Sequence, residues 1–158
     1  MSEEIIMNEE INEESKSKEL YENRNNISRY KVREQTMLLT FERLFHEADI
    51  DEIADNVIDS RDVYYSDEAI KYAKLIDEMK NDIDKKISEH LSKGWRISRI
   101  SKTSLAIMRV AVYEMCYLEE VPVSVAINEA VELAKKYTPD DSKFVNGVLG
   151  AVAQEEAE

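Results

Sequence analysis

The fold is decided by residues 105–118, LAIMRVAVYEMCYL, in which only Arg109 and Glu114 interrupt an apolar run. A helix that is apolar on every side is buried in a core or inserted in a membrane. This run is shorter than the roughly 20 residues of a spanning helix. Val, Ile and Tyr also favour strands, but strands usually run for only about 4–8 residues. We therefore predict the central helix of an all-α protein, with Arg109 and Glu114 on its one solvent-facing or partner-facing edge.

The composition is that of one helical domain. A chain of 158 residues can bury a sizeable core, and three glycines and two prolines are too few for many short strands joined by turns. No apolar run reaches membrane length, and no secretory signal is visible. The single cysteine, Cys116, fits a reducing compartment. We expect a cytoplasmic protein with no membrane partner.

The formal net charge of −13 is unevenly distributed. Residues 1–28 carry eight acidic side chains against three basic ones, and they have little apolar surface to offset the entropy lost on ordering. We predict a disordered acidic arm over residues 1–27, a helical domain over residues 28–154 and a frayed tail over residues 155–158. The arm is either a solubilising tail or a segment that competes with RNA for a neighbouring basic patch.

Helical periodicity and capping residues predict further helices on both sides of the central one. They cover residues 29–48 after an N-cap at Ser28, residues 51–59 with Ile53, Val57 and Ile58 buried, residues 67–91 after an N-cap at Ser66, residues 123–137 after Pro122, and a last helix after the turn at 138–142. Residues 60–65 are predicted to form a loop. Gly94 is expected to end the helix before it.

Two groups of residues are assigned to packing. Trp95, Ile97 and Ile100 are expected to seal the core from the segment before the central helix. Gly147 and Gly150 lie inside the last predicted helix, where a glycine costs roughly 1 kcal/mol against alanine. We expect the close approach of another helix to offset that cost.

Three cations, Arg29, Lys31 and Arg33, crowd the start of the first predicted domain helix. Cations at a helix N-terminus oppose its dipole by about 0.3–1 kcal/mol each, and such broken local rules often mark functional sites. The cluster is either a phosphate cradle or a merely solvated helix start. Phe41 and Phe144 either supply rings for stacking on single-stranded RNA or belong to the core.

The sequence shows no arrangement typical of an enzyme or a metalloprotein. His46 and His90 are the only histidines, and neither has a second His or a Cys at ligand spacing. Cys116 has apolar neighbours, which disfavour a reactive thiolate. No Gly-rich phosphate loop occurs. We expect a non-catalytic protein with no cofactor and no bound metal.

Three stretches carry a family resemblance, namely residues 125–135, VAINEAVELAK, residues 143–149, KFVNGVL, and the centre of the apolar run. The first two resemble the C-terminal motifs of the NusB family of transcription antitermination factors. Residues 107–115, IMRVAVYEM, are similar to its I-L-R-x-A-x-Y-E-L pattern, and Arg33-Glu34 fits the start of its first helix. The resemblance covers residues 28–152.

The resemblance implies an all-helical fold of two small helical subdomains. It also implies binding to boxA-type RNA of ribosomal RNA operons, and a partner in the small-subunit ribosomal protein NusE. The pair would join RNA polymerase and other Nus factors. The family's RNA-contacting positions correspond here to Arg29, Lys31, Arg33, Phe41, Asp141, Lys143 and Phe144. The candidates for partner contact are Ser104, at the start of the central helix where the family usually has an acidic residue, and Arg109.

Departures from the family pattern keep other functions open. The basic cluster is sparser than the family's and the acidic arm is additional, so we expect weak RNA affinity alone and more dependence on NusE. One alternative is an interaction module with the same fold but little RNA binding of its own. Another is a domain that serves an RNA methyltransferase in trans.

Overall fold

The computed structural model describes residues 2–61 and 64–157, except for the side chains of residues 57–61. Its α-helices are α1 (Glu3–Glu22), α2 (Arg29–Arg43), α3 (Ile50–Arg61), α4 (Asp67–Ser88), α5 (Lys102–Tyr117), α6 (Val123–Tyr137) and α7 (Ser142–Ala157). Short 3-10 helices, Ile97–Arg99 and Pro139–Asp141, precede α5 and α7. The described residues contain no strand, which confirms the predicted all-α fold. None of the helices in this part of the chain is long and apolar enough to cross a membrane.

The central helix is α5, as predicted, and it packs against α2, α4, α6 and α7. Every residue from Ser104 to Glu114 is buried. The predicted solvent-facing edge at Arg109 and Glu114 is therefore wrong. The two positions lie about 140° apart around a helix of 3.6 residues per turn, so they face different neighbours. Arg109 pairs with Asp84 of α4, and Glu114 pairs with Arg33 of α2.

Two apolar clusters form the core. The larger one surrounds α5 and includes Ile83, Ile87, Leu133 and Leu149 from the neighbouring helices. The smaller one lies between α2, α3 and the start of α4, and its buried members are Val32, Leu39, Ile50, Ile53, Ala54, Tyr65, Ala69 and Ala73. The division into two clusters agrees with the two small helical subdomains that the family resemblance implies.

Local signals fix the ends of several helices. The hydroxyl of Ser28 accepts the backbone N–H of Lys31 at 3.2 Å, and that of Ser66 accepts the backbone N–H of Ala69 at 3.1 Å. Both predicted N-caps are therefore confirmed. The prediction that Gly94 ends the helix before it is wrong, because α4 ends at Ser88, three residues before the predicted end, with Glu89 as its C-cap. Gly94 lies farther on, in a turn where its φ is +88°, a conformation that glycine adopts readily.

Other local predictions are wrong. Trp95 does not seal the core, because its side chain is 52% exposed, whereas Ile100 is buried. A Cβ added to Gly147 or Gly150 would meet no neighbouring atom of the described residues within 4 Å, so no helix approaches there. The reason is that α7 turns Val145, Val148, Leu149 and Val152 toward the core and the two glycines toward solvent.

Helix boundaries also differ from the predictions. α2 ends at Arg43, five residues before the predicted end at Ala48. α3 continues through Ser60 and Arg61, which were expected in a loop. The burial expected for Val57 and Ile58, and the loop at 62–63, lie outside the described residues. α7 runs to Ala157, beyond the predicted end of the domain at residue 154.

The acidic arm is helical in the structure, where its composition favours disorder. Glu, Lys and Leu are strong helix formers, and two glutamates occupy the first turn of α1. No residue of α1 is buried. The hydroxyls of Ser17 and Tyr64 share a hydrogen bond at 2.8 Å, and the ring of Tyr21 meets that of Tyr64 edge-on. Because helices draw most of their stability from packing, the disorder of this arm in solution stays a prediction.

Candidate nucleic-acid interface

The three cations at the start of α2 have different environments. Arg29 pairs with Glu68 at 2.6 Å, and its side chain is 66% exposed. Lys31 pairs with Glu34 at 3.0 Å, and its side chain is 55% exposed. The side chain of Arg33 is only 12% exposed. Arg29 and Lys31 are therefore accessible to an anionic ligand, and Arg33 is mostly enclosed.

Arg33 is held by a buried ion pair. Its Nε and Nη2 donate to the two carboxylate oxygens of Glu114 at 2.8 and 3.1 Å, and its Nη1 lies 3.7 Å from Glu129. Burial raises the pKa of Glu114, and the guanidinium of Arg33 opposes that rise. This geometry joins the start of α2 to the middle of the core. Arg33 is therefore engaged with carboxylates on two other helices.

Glu34 organises the cations beside it. This buried carboxylate accepts hydrogen bonds from Lys136 Nζ at 2.6 Å, Tyr137 Oη at 2.9 Å, Lys31 Nζ at 3.0 Å and Tyr30 Oη at 3.3 Å. Burial raises the pKa of Glu34, but the donors outweigh burial and lower that pKa to about 2. The ionised carboxylate therefore fixes the ammonium groups of two half-exposed lysines in one place.

Sequence reasoning missed this cluster. Glu132 and Lys136 have the i,i+4 spacing of a helix-surface ion pair, but Glu132 pairs with Lys135 at 3.4 Å and Lys136 pairs with Glu34. The spacing of Lys31 and Glu34 on one face of a helix was the only local signal.

Phe41 lies between this cluster and the start of α5. Its ring is half-buried and, together with Thr103 and Tyr137, lines a hollow of ≈ 80 Å³. Its other side meets the ring of Phe45 at 5.0 Å between centroids. Phe41 thus packs against the core while its ring stays only half-buried.

Asp141 binds the start of α5 through hydrogen bonds. Its Oδ2 accepts hydrogen bonds from Ser104 Oγ at 2.8 Å, Ser101 Oγ at 3.0 Å and Thr138 Oγ1 at 3.1 Å. The hydrogen bonds from Ser104, Ser101 and Thr138 lower the pKa of Asp141. Ser104 is fully buried, so it reaches the surface only through Asp141. Arg109 is likewise enclosed, with a bidentate pair to Asp84 at 2.8 and 2.7 Å.

Several of the predicted RNA residues share one surface. We name this surface the helix-start face, and it consists of Lys31, Phe41, Lys136, Tyr137, Asp141, Lys143 and Phe144. Glu34 accepts hydrogen bonds from Lys31, Lys136 and Tyr137. Tyr137 lines the hollow together with Phe41 and Thr103. Ser104, next to Thr103, bonds to Asp141, which directly precedes α7. Lys143 is exposed and Phe144 is half-buried.

Two predicted residues point away from this face. Arg29 turns toward α4 and lines an open groove of ≈ 510 Å³ together with Tyr72, Leu118 and Val125. Arg33 lies at the floor of the same groove, beside Glu114. No group of histidine, cysteine or carboxylate side chains in the described ranges could hold a metal ion.

Comparison with known proteins decides the family. The model of the NusB family matches residues 26–154. This chain belongs to the NusB family. The acidic residues 1–25 lie outside the match to NusB.

Two sequence relatives of the chain carry the same name. The transcription antitermination protein NusB of Clostridium novyi is 43% identical over 129 residues, which cover 78% of this chain and 96% of the relative. The protein of that name from Acetivibrio thermocellus is 40% identical over 131 residues, covering 81% of this chain and 90% of the relative. This name describes a regulatory role and not a catalysed reaction, in agreement with the prediction of a non-enzymatic protein.

Solved structures give the same fold. NusB of T. maritima superposes with a TM-score of 0.69 at 31% identity, covering 82% of this chain and 92% of that one. A chain from the crystal structure of antitermination factors NusB and NusE in complex with dsRNA superposes with a TM-score of 0.69 at 25% identity, covering 80% of this chain and 96% of that one.

Proposed function

We propose that this NusB protein binds boxA-type RNA of ribosomal RNA operons together with NusE and promotes processive transcription of those operons. In this role it would act with RNA polymerase and other Nus factors. Membership of the family supports the proposal, as does the likeness to a chain from the structure of NusB and NusE in complex with dsRNA. The observation that carries it is the helix-start face, where exposed lysines alternate with aromatic rings.

The chemistry of that face suits single-stranded RNA. Lys31, Lys136 and Lys143 would contact phosphates, and the rings of Phe41 and Phe144 would stack on bases. Arg29 would add a phosphate contact at the edge of the groove. Asp141 offers its second carboxylate oxygen, Oδ1, to a base amino group. Arg33 stays in the proposed site as a positioning residue, because Glu114 occupies its guanidinium.

The proposed NusE contact lies around the start of α5. Ser104 and Arg109 remain the candidates, and both would act indirectly because they are buried. Ser104 would act through Asp141, and Arg109 through Asp84.

The test measures binding of a boxA-type RNA, with and without NusE, over a range of salt concentrations. Lys31→Ala/Lys143→Ala should weaken RNA binding and lower the magnitude of the salt slope by about 1.4, because each phosphate contact to a single strand contributes about 0.7. Lys74→Ala/Lys85→Ala is the matched control, since it removes the same charge from exposed side chains elsewhere. Equal affinities and slopes for the two double variants would contradict the proposal.

A second candidate is an interaction module that binds NusE with little RNA contact of its own. It is favoured by the net charge of −13 and by the engagement of Arg29 and Arg33 with carboxylates. In the same titrations, this candidate predicts that the chain binds NusE but adds nothing to the RNA affinity of NusE.

A further inference from the structure

We propose that a second surface, next to the helix-start face, also binds single-stranded RNA. It consists of Lys93, Trp95, Arg96, Arg99 and Lys102, and we name it the Trp95 surface. The inference rests on the proposed function and extends the RNA path beyond the residues that the family resemblance implies.

The cations of the Trp95 surface are unpaired in an acidic protein. Most lysines and arginines have a carboxylate within 4.0 Å, as Arg29 has Glu68. The four cations of the Trp95 surface are exposed, and no carboxylate of the described side chains lies within 4.0 Å of Lys93, Arg96, Arg99 or Lys102. The other described cations without one are Lys16, Lys71 and Lys143, and Lys143 belongs to the adjoining helix-start face. Positive charge that the fold leaves free is therefore concentrated at one place.

An exposed aromatic ring stands among these cations. The side chain of Trp95 is 52% exposed, and its ring centroid lies 6.1 Å from that of Phe144, with the planes tilted by 35°. Trp95 belongs to neither core cluster, so core packing does not account for the exposed part of its ring. A large flat ring beside cations is the arrangement that holds a splayed base and its phosphate.

The backbone presents these side chains in a fixed arrangement. The N–H of Trp95 donates to the carbonyl of Ser92 at 2.9 Å, in the turn that contains Gly94. The N–H of Arg99 donates to the carbonyl of Arg96 at 2.9 Å within the 3-10 helix. Ile100 is buried and anchors the segment to the core. A ligand would meet a largely formed platform, which reduces the entropy lost on binding.

The Trp95 surface is continuous with the helix-start face. The ammonium of Lys102 lies 5.3 Å from the centroid of Phe45, whose ring contacts Phe41. At the other end, Trp95 contacts Phe144. An RNA strand that stacks on Phe41 and Phe144 would therefore pass these cations. The mixture of rings and free cations favours RNA over an acidic protein as the ligand, and the acidic protein becomes an outcome of the test.

The decisive experiment uses the full chain, with NusE, and a boxA-type RNA with single-stranded flanks. Trp95 is the only tryptophan of the chain, so quenching of its fluorescence reports stacking at this position alone. A parallel titration of NusE and RNA without the chain supplies the background. We expect quenching to saturate at the RNA concentration at which anisotropy also saturates.

Variants separate stacking from charge. Trp95→Ala should weaken RNA binding by about 5- to 150-fold, the range for the loss of one stacked base, and Trp95→Phe should retain most of the affinity. Arg96→Ala/Arg99→Ala should lower the magnitude of the salt slope by about 1.4. Its control is Lys74→Ala/Lys85→Ala, which removes two exposed cations from elsewhere. All of these side chains are exposed, so melting temperatures should match that of the wild type.

Three results would overturn the inference. Wild-type RNA affinity in Trp95→Ala and Arg96→Ala/Arg99→Ala, with loss only in Lys31→Ala/Lys143→Ala, would leave the proposed function standing and remove the Trp95 surface from it. If the same two Trp95-surface variants lose NusE binding while their RNA binding is unchanged, the Trp95 surface would be assigned to a protein partner. Failure of the wild-type chain to bind RNA or to raise the RNA affinity of NusE would reject the proposed function itself, and this inference with it.

Discussion

Replacing Arg33 by methionine should destabilise the whole domain. Methionine keeps the apolar stem but removes the guanidinium that bonds to Glu114 at 2.8 and 3.1 Å. Glu114 is only 7% exposed, so it becomes an unpaired buried anion. Removing one partner of a buried pair costs about 3–5 kcal/mol. For a chain of this size that corresponds to a fall of about 6–20 °C in melting temperature.

The loss should depend on pH in a defined direction. Burial already raises the pKa of Glu114, and without Arg33 that pKa rises further. The folded variant then keeps a proton that the unfolded chain releases at about pH 4.3. Above that pH the folded state binds more protons than the unfolded state, so the free energy of unfolding falls as pH rises. The difference from wild type should be small near pH 4 and largest above the raised pKa.

Urea and thermal unfolding at several pH values test this reasoning. Arg33→Met/Glu114→Gln should recover most of the lost stability, because neither position then leaves an unpaired buried charge. Arg29→Met is the control, since its exposed pair with Glu68 is worth at most about 1 kcal/mol. If Arg33→Met costs no more than Arg29→Met at neutral pH, the reasoning is refuted. The RNA affinity of this folded double variant also tests the positioning role of Arg33. Unchanged affinity supports that role, and a clear loss of affinity would show that Arg33 contacts the RNA directly.

Three other perturbations have expected outcomes. Glu34→Gln should lower the free energy of unfolding by about 1–2 kcal/mol at pH 7. Because the pKa of Glu34 is about 2 in the fold, its advantage over glutamine should fade as pH falls from about 5 to about 2, and a constant difference would argue against it. Gly147→Ala and Gly150→Ala should each raise the stability by about 0.5–1 kcal/mol, since the methyl group enters open space, and a lower melting temperature would show that the site is not open. Deleting residues 2–23 should change the melting temperature by no more than about 2 °C, because no residue of α1 is buried. The deletion should also strengthen RNA binding at low salt, because it removes eight acidic side chains. Unchanged RNA affinity would leave the arm only a solubilising role.

Some site features were predictable and others were not. The motifs at residues 125–135 and 143–149 were enough to indicate the family, and Phe41, Lys143 and Phe144 do lie at the surface or at its margin. The role of Arg33 was not predictable, because its spacing from Arg29 and Lys31 suggests one common cradle. Trp95 was assigned to the core because a large aromatic ring usually gains by burial. Only the tertiary structure shows that Trp95 lies beside Phe144 at the surface and stays about half exposed.

The sequence by itself determined the central helix α5 and the starts of α2 and α4. The apolar run in α5 and the serine caps at residues 28 and 66 act through neighbours within about four residues, so local physics specifies them. Tertiary structure alone decided which charges remain available. Arg33 and Glu114 are 81 residues apart in the chain, and Glu34 and Lys136 are 102 apart. Ion pairing depends on which helix faces meet and on how much water stays between them, and neither follows from the spacing of residues along one helix.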